Sequence, residues 1–448
     1  MAAGRDDGVV APRAGLQGPR GDLSDRLSAA APGPAPGDDD SLAIYVHWPF
    51  CAAKCPYCDF NSHVRHGGVD QARFAAALVR ELETSRSHIG ERTVTSIFFG
   101  GGTPSLMDPV TVETVLSAIA RLWPMTADCE ISLEANPSSV EAARFAGYRI
   151  AGVNRVSLGI QSFNDDALRF LGRLHDAATA RRAIEIARTT FARTSCDMIY
   201  ARPGQSVTDW EAELASLLAL RPDHLSLYQL TIEPETPFFR LQSAGKLRVP
   251  EGDLAADLFE TTRAQCRAAG LPAYEVSNHA RPGAECRHNL TYWRGGDYVG
   301  VGAGAHGRLT IDGIRHATAN ERSPEAWLAA VEQDGLGAVE TATLNDEESA
   351  EEFLVMGLRL AEGLDLQRFT RRSGWTLDPA RLAPLIEEGF LGWKDGGRLA
   401  ASERGTLVLN TLIAEVAGAA LASEASLGYG HGQKHEQAGG RPALERTW

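Results

Sequence analysis

Six short β-rich runs recur along the first half of the chain, separated by longer segments of helical periodicity. The runs are LAIYVHW (42–48), VTSIFF (94–99), EISLEA (130–135), RVSLGI (155–160), CDMIYA (196–201) and HLSLYQL (224–230). Between the first two lies DQARFAAALVRELETSRSHI (70–89), whose Phe74, Leu78 and Leu82 fall on one stripe of a helix. Strand, helix, strand repeated in this way requires right-handed crossovers and a parallel sheet. The pattern therefore predicts an α/β fold built on a partial or full barrel. Polar residues and glycines collect just after the runs, at GGGTPS, EANPSS and QSFND. That is the carboxyl-terminal edge of the sheet, where barrels place their sites.

The barrel and its extension are expected over residues 41–340. From about Thr343 the sequence reads as helices plus a short hairpin around WKDGGRLAAS, which predicts a small, mainly helical C-terminal domain over 341–420. Residues 1–40 are rich in Ala, Gly, Pro and Asp and predict a disordered leader; 421–448, with His431 and His435, predict a disordered tail. The start of the chain has early acids and no apolar core, unlike a secretory signal or transit peptide. No apolar run approaches the roughly 20 residues that cross a bilayer. A net charge of -14 argues against nucleic acid as a partner, because phosphate binding needs clustered Lys and Arg. Of the seven cysteines, Cys129, Cys196, Cys266 and Cys286 are scattered singly, as buried thiols of a reducing cytoplasm are.

The other three, Cys51, Cys55 and Cys58, sit in HWPFCAAKCPYCDFNSH (47–63), directly after the first run. Thiolates at such spacing select zinc or an iron-sulfur cluster. A zinc site would take His47 or His63 as its fourth ligand. Against zinc, structural zinc sites usually draw two pairs of ligands from separate turns, whereas one loop can wrap a cubane and leave one iron open to a small-molecule chelate.

Cys51-Ala-Ala-Lys-Cys55-Pro-Tyr-Cys58 resembles the CxxxCxxC signature of radical S-adenosylmethionine (SAM) enzymes. The resemblance implies a [4Fe-4S] cluster on these cysteines, with SAM on the open iron. It also specifies the fold as a partial (β/α)6 radical SAM barrel. Further motifs follow in the order of the coproporphyrinogen III oxidase-like branch, across nearly all of residues 42–415. The glycine segment implies SAM contacts from Gly101, Gly102 and Thr103; the strand ends add Tyr45, Tyr57, Glu134, Gln161, Arg173 and Asp197. Asn136 stands beside Glu134 at the third strand's end.

Two subfamilies share this pattern. Oxygen-independent coproporphyrinogen III oxidases carry a fourth cysteine two positions after the third, where this chain has Phe60. Phe60 points to the haem chaperones of the HemW type, which imply haem as a ligand and a haem-acceptor protein as partner. The oxidase alternative would decarboxylate coproporphyrinogen III to protoporphyrinogen IX, with SAM cleaved and an electron donor required. Haem needs an axial ligand and an apolar wall. CRHNLTYWRGGDYVGVGAGAHG (286–307) offers His288 and His306 with Tyr292, Trp293 and Tyr298; the plainer reading is a glycine-rich strand and turn closing the barrel. One departure stands out. Where the branch usually reads IYGLPGQ, this chain has Ala201 and Arg202, and the arginine is expected either near an anionic cofactor group or in solvent.

Overall fold

The computed structural model describes residues 41–422, so the leader and nearly all of the tail lie outside the described residues. Six parallel strands follow one another in space as in sequence: β1 (Ser41–Trp48), β2 (Thr93–Gly101), β3 (Met125–Ala135), β4 (Arg155–Gln161), β5 (Arg193–Tyr200) and β6 (His224–Gln229). Beyond β6 lies the short antiparallel β7 (Asn278–Ala280). On the other side of β1 comes a parallel β8 (Tyr298–Val301), then antiparallel β9 (His306–Ile311), β10 (Ile314–Asn320) and β11 (Ala338–Thr343). The eleven-stranded sheet runs from β11 to β7 without its ends pairing, a partial barrel. The glycine-rich 286–307 stretch therefore lengthens the sheet beside β1 and does not close it.

Side chains alternate along each strand, and here the two faces differ sharply in polarity. Leu42, Ile44, Val46 and Trp48 of β1, Ile131 and Leu133 of β3, Val156, Leu158 and Ile160 of β4, and Leu225 and Leu227 of β6 all enter the main apolar core under the helices. The intervening positions point inward: Ser96, Glu130, Ser132, Arg155, Ser157, Ser195, His224 and Ser226, all buried. This interior is polar, unlike the aliphatic layers that fill a closed barrel.

The first crossover helix, α1 (Gln71–Ile89), is capped by Asp70, whose carboxylate accepts from the Arg73 amide at 3.1 Å, and it stops at Gly90. Its predicted stripe of Phe74, Leu78 and Leu82 is buried. A carboxylate shares that stripe. Glu81 is 1 % exposed and accepts from the Gly302 amide at 2.8 Å, the Gly337 amide and Asn320 Nδ2 at 2.9 Å each, and Trp327 Nε1 at 3.1 Å. These donors come from beside β8, the end of β10, the turn before β11, and the helix Pro324–Asp334. One buried side chain thus ties the first crossover to the sheet extension.

The C-terminal region packs helices Asp346–Gly357, Leu366–Ser373, Pro379–Glu387 and Leu409–Ala417 around its own core of Phe353, Phe369, Leu382, Leu399 and Leu412. The hairpin expected at WKDGGRLAAS is present, Leu391–Lys394 pairing with Arg398–Ala401. A buried ion network docks this region on the extension: Glu352 receives Arg308 Nε at 2.7 Å and Arg315 Nη2 at 2.9 Å, and Asp297 receives Arg372 Nη1 at 3.4 Å. Among the described residues no helix is long and apolar enough to cross a membrane.

Replacing Glu81 with Ala leaves four buried donors without their acceptor, each costing about 1–3 kcal/mol before relaxation. Glu81→Ala is expected to lose about 3–5 kcal/mol in denaturant unfolding; a loss under about 1 kcal/mol would show that the carboxylate is not the tie.

Candidate cluster and cofactor site

The cysteine loop begins where β1 ends and is closed at its base. His63 donates its amide to the Pro49 carbonyl at 2.7 Å, and Phe50–Cys51 pairs with His63–Val64. Within it the Cys58 amide reaches the Cys55 carbonyl at 3.1 Å, so the last two thiols sit on one turn. The glycine segment after β2 docks against this loop through backbone hydrogen bonds. Gly102 donates to the Trp48 carbonyl at 2.8 Å and Thr103 to the Phe50 carbonyl at 2.9 Å. A Cβ on Gly102 would lie 2.8 Å from the Phe50 carbonyl oxygen, and one on Gly101, at φ +107°, would lie 2.6 Å from the His47 ring. The glycines are needed so that the cysteine loop can approach β2. On the loop's other side Tyr57 packs on Leu171, Ile199, Leu230 and Phe238, and the Phe238 amide donates to the Pro56 carbonyl at 3.0 Å.

Three of the expected residues meet the thiols directly or through one neighbour. Thr103 Oγ1 lies 3.4 Å from Cys51 Sγ, and Arg173 Nη1 lies 3.3 Å from Cys55 Sγ. Asn136 joins them: its Nδ2 is 3.3 Å from Thr103 Oγ1, and its Oδ1 accepts from Arg173 Nη2. Arg173 also donates to the Gly159 carbonyl at 3.0 Å, beside Gln161, which turns out of β4 at φ +66°. Burial raises the Cys51 thiol and pushes Cys58 up to about 11. Buried thiols of this kind become ligands when a metal supplies the opposing charge.

The second group lines the barrel interior. Burial, and then the neighbouring Asp197, push the Glu134 carboxyl up to about 8, partly offset by the Gly101 amide. Burial also raises Asp197, which is held by Ser157 Oγ at 2.9 Å and Ser195 Oγ at 3.2 Å. Ser195 in turn meets His224 Nδ1 at 2.8 Å, and His224 Nε2 meets the Tyr274 hydroxyl at 2.8 Å. Tyr45, on β1, is raised by burial and by Glu134. Two half-buried carboxyls facing the barrel interior, with Arg155 the cation near both, form a receptive site for an ammonium or for ribose hydroxyls. Among the described residues the Nε of the Arg173 guanidinium has no partner, which suits an incoming carboxylate. The donor set therefore fits a thiolate-bound cluster with an amino-acid chelate above it.

His47 does not complete a zinc site. The Asn61 carbonyl only accepts, so His47 Nε2 carries the proton that reaches it at 2.9 Å, and Nδ1 accepts from the Tyr45 hydroxyl at 2.9 Å. His63 Nε2 is engaged with Asn61 Oδ1 and the Arg322 carbonyl, both at 3.2 Å. Among the described residues, no three His, Cys, Asp or Glu side chains are grouped to hold a single ion.

The two haem candidates part company. His288, on the helix Arg287–Trp293, is 4 % exposed, stacks on Phe98 at 5.1 Å between ring centres, and has Tyr45 and Tyr292 at 6.1 and 6.2 Å. Burial, with Arg155 nearby, lowers it to about 3, so the ring is neutral. His306 is exposed at the start of β9. Phe60 projects into solvent at 58 % exposure.

Arg202 occupies neither of its expected places. It is 7 % exposed and pairs with the equally buried Glu213, while Nη1 donates to Ser162 Oγ at 2.5 Å. Glu213 also takes the Phe163 amide at 2.7 Å, so the pair braces the loop that follows β4. Sequence reasoning missed Arg155 as well. It is 2 % exposed in the barrel floor; burial opposes its charge, but Cys286, Glu130 and Asp197 nearby keep it protonated. Its signal was the alternation itself, R-V-S-L-G-I-Q, in which Val156, Leu158 and Ile160 alternate with Arg155, Ser157, Gly159 and Gln161.

Ala201 adopts φ +55°, a left-handed backbone that costs a non-glycine residue about 1 kcal/mol. Glycine relieves that strain but gives up one buried methyl, worth about 0.8 kcal/mol. Ala201→Gly is expected to unfold within about 0.5 kcal/mol of the parent and Ala201→Val to lose about 2 kcal/mol or more. A tolerated valine in urea titrations would contradict the strained assignment.

Comparisons with known proteins bear on the family and the fold. Residues 45–217 match the radical SAM superfamily model and residues 344–408 match the HemN C-terminal domain model. The heme chaperone HemW of Escherichia coli K12 is 38% identical over 381 residues, covering 83% of this chain and 97% of that protein. The mitochondrial radical S-adenosyl methionine domain-containing protein 1 of Bos taurus is 41% identical over 391 residues, covering 85% and 88%. The solved structure of the E. coli coproporphyrinogen III oxidase HemN matches with a TM-score of 0.69 at 22% identity, covering 89% of this chain and 92% of that one, and shows the same fold. Membership of the radical SAM superfamily implies a [4Fe-4S] cluster and SAM. From the thiol loop to the C-terminal helices, the chain belongs to the radical SAM family that includes the heme chaperone HemW.

Proposed function

We propose that this protein is a radical SAM-type haem chaperone that binds haem and passes it to an acceptor protein. Cys51, Cys55 and Cys58 would hold the [4Fe-4S] cluster. Tyr45, Tyr57, Gly101, Gly102, Thr103, Glu134, Gln161, Arg173 and Asp197 would hold SAM. Together the two cofactors supply one-electron chemistry, which the chain confines to the barrel interior.

The observation that carries the haem assignment is the His288 imidazole. An axial ligand must be neutral, and His288 is held neutral by burial. Its ring stands among Phe98, Tyr45 and Tyr292, an aromatic wall suited to a flat macrocycle. Ser96 Oγ lies 3.4 Å from Nδ1, and among the described residues Nε2 has no hydrogen-bond partner. We therefore assign His288, and not the exposed His306, as the haem ligand. Phe60 at the usual place of the fourth cysteine supports chaperone over oxidase.

Haem titration of the cluster-loaded protein tests the assignment. One haem per chain is expected to bind with a Soret band; His288→Ala weakens binding at least tenfold at unchanged iron and sulfide content, and His306→Ala changes it less than twofold. The reverse order would overturn the ligand assignment.

A further inference from the structure

We propose that Asn136 is a positioning residue that holds in place the two groups, Thr103 and Arg173, that donate hydrogen bonds to two of the three cluster thiolates. The proposal rests on the reading of the cysteine loop as a cluster site.

The guanidinium of Arg173 can only donate. It faces the amide of Asn136, so the atom toward it must be the acceptor Oδ1. The amide nitrogen is then committed to the other side, where it donates to Thr103 Oγ1 at 3.3 Å. A hydroxyl has a single proton. Thr103 Oγ1, accepting from Asn136, directs that proton to Cys51 Sγ at 3.4 Å. The second arm of Arg173, Nη1, donates to Cys55 Sγ at 3.3 Å. One side chain thus bonds to both of the donors that end on the two sulfurs, and holds them at its opposite ends.

Asn136 is itself fixed from behind. Its backbone amide donates to Glu141 Oε2 at 2.8 Å, and Glu141, 6 % exposed, is held by the hydroxyls of Ser105 and of Ser138, the latter at 3.1 Å. The backbone from which the Asn136 side chain projects is therefore held in place.

Once ligated to iron the sulfurs carry negative charge, and more of it in the reduced cluster. Hydrogen bonds aimed at them favour the reduced form, so their loss makes the reduction potential more negative. Leucine at position 136 removes the amide from both arms at similar volume; valine at 103 removes the last hydrogen bond to Cys51 alone.

The test is a redox titration of the anaerobically reconstituted full chain without SAM, followed by electron paramagnetic resonance, with iron and acid-labile sulfide assayed in parallel. Asn136→Leu and Thr103→Val are each expected to load a full cluster and to shift the midpoint to more negative potential. Because Asn136 acts in part through Thr103, the double variant is expected to shift by less than the sum. The Fe–S(Cys) stretching bands in resonance Raman are expected to move to higher frequency. A full cluster at the parent midpoint in Thr103→Val overturns the proposal even where Asn136→Leu fails to fold, as does strict additivity in the double variant. Failure of the parent chain itself to take up iron and sulfide would instead contradict the cluster reading.

Discussion

The structure depends on keeping a polar barrel interior buried. Each strand presents one apolar face to the helices and one polar face inward, and the inward groups must find partners or charge on the way to the native state. They do so largely across adjacent strands. Ser157 and Ser195 hold Asp197, and Ser132 lies 3.4 Å from Arg155 Nη1. Serines at five inward positions also keep the floor small, leaving room above it. At Glu134 and Asp197, with Arg155 the cation near both, the interior is left receptive. What fills a closed barrel with aliphatic layers is here a site.

Around that interior the chain uses buried carboxylates as ties. Glu81 anchors the sheet extension to the first crossover, and Glu213 with Arg202 braces the loop after β4. A lone buried pair is weak evidence of net stability, because desolvation consumes much of the attraction. Both ties also bind backbone amides, at Gly302 and Gly337 and at Phe163, and that fixes where loops lie. The consequence reaches the cluster loop. Asn61 Nδ2 donates to the Ala303 carbonyl at 2.9 Å, so the segment that Glu81 holds is the one on which the far end of the cysteine loop rests.

Much of this was legible in the sequence. The six strands, the α1 stripe and the C-terminal hairpin are local patterns, and local periodicity reports them well. The cysteine loop and the strand-end residues were legible through resemblance, and the structure places Cys51, Cys55, Thr103 and Arg173 in one hydrogen-bonded set. Pairings between distant segments were harder to read. Nothing near Tyr298 announces that β8 will lie against β1, because that register is set by partners far away in the chain. Arg202 was misplaced for a related reason: its partner Glu213 lies on the next helix, eleven residues on. A signal did exist there. Glu213 shares a helical stripe with Trp210, Leu214 and Leu217, just as Glu81 shares one with Phe74, Leu78 and Leu82, and an acid on an apolar stripe requires a buried partner.

We propose that this barrel keeps the cluster and SAM site of its branch but handles haem and does not oxidise a porphyrinogen. The most direct measurement supplies the cluster-loaded protein with SAM, a reductant, coproporphyrinogen III and haem, then analyses both the porphyrin products and the haem retained through desalting. Stoichiometric haem retention with no protoporphyrinogen IX formed is the predicted result. Catalytic decarboxylation of coproporphyrinogen III would contradict it and make the protein an oxidase despite Phe60.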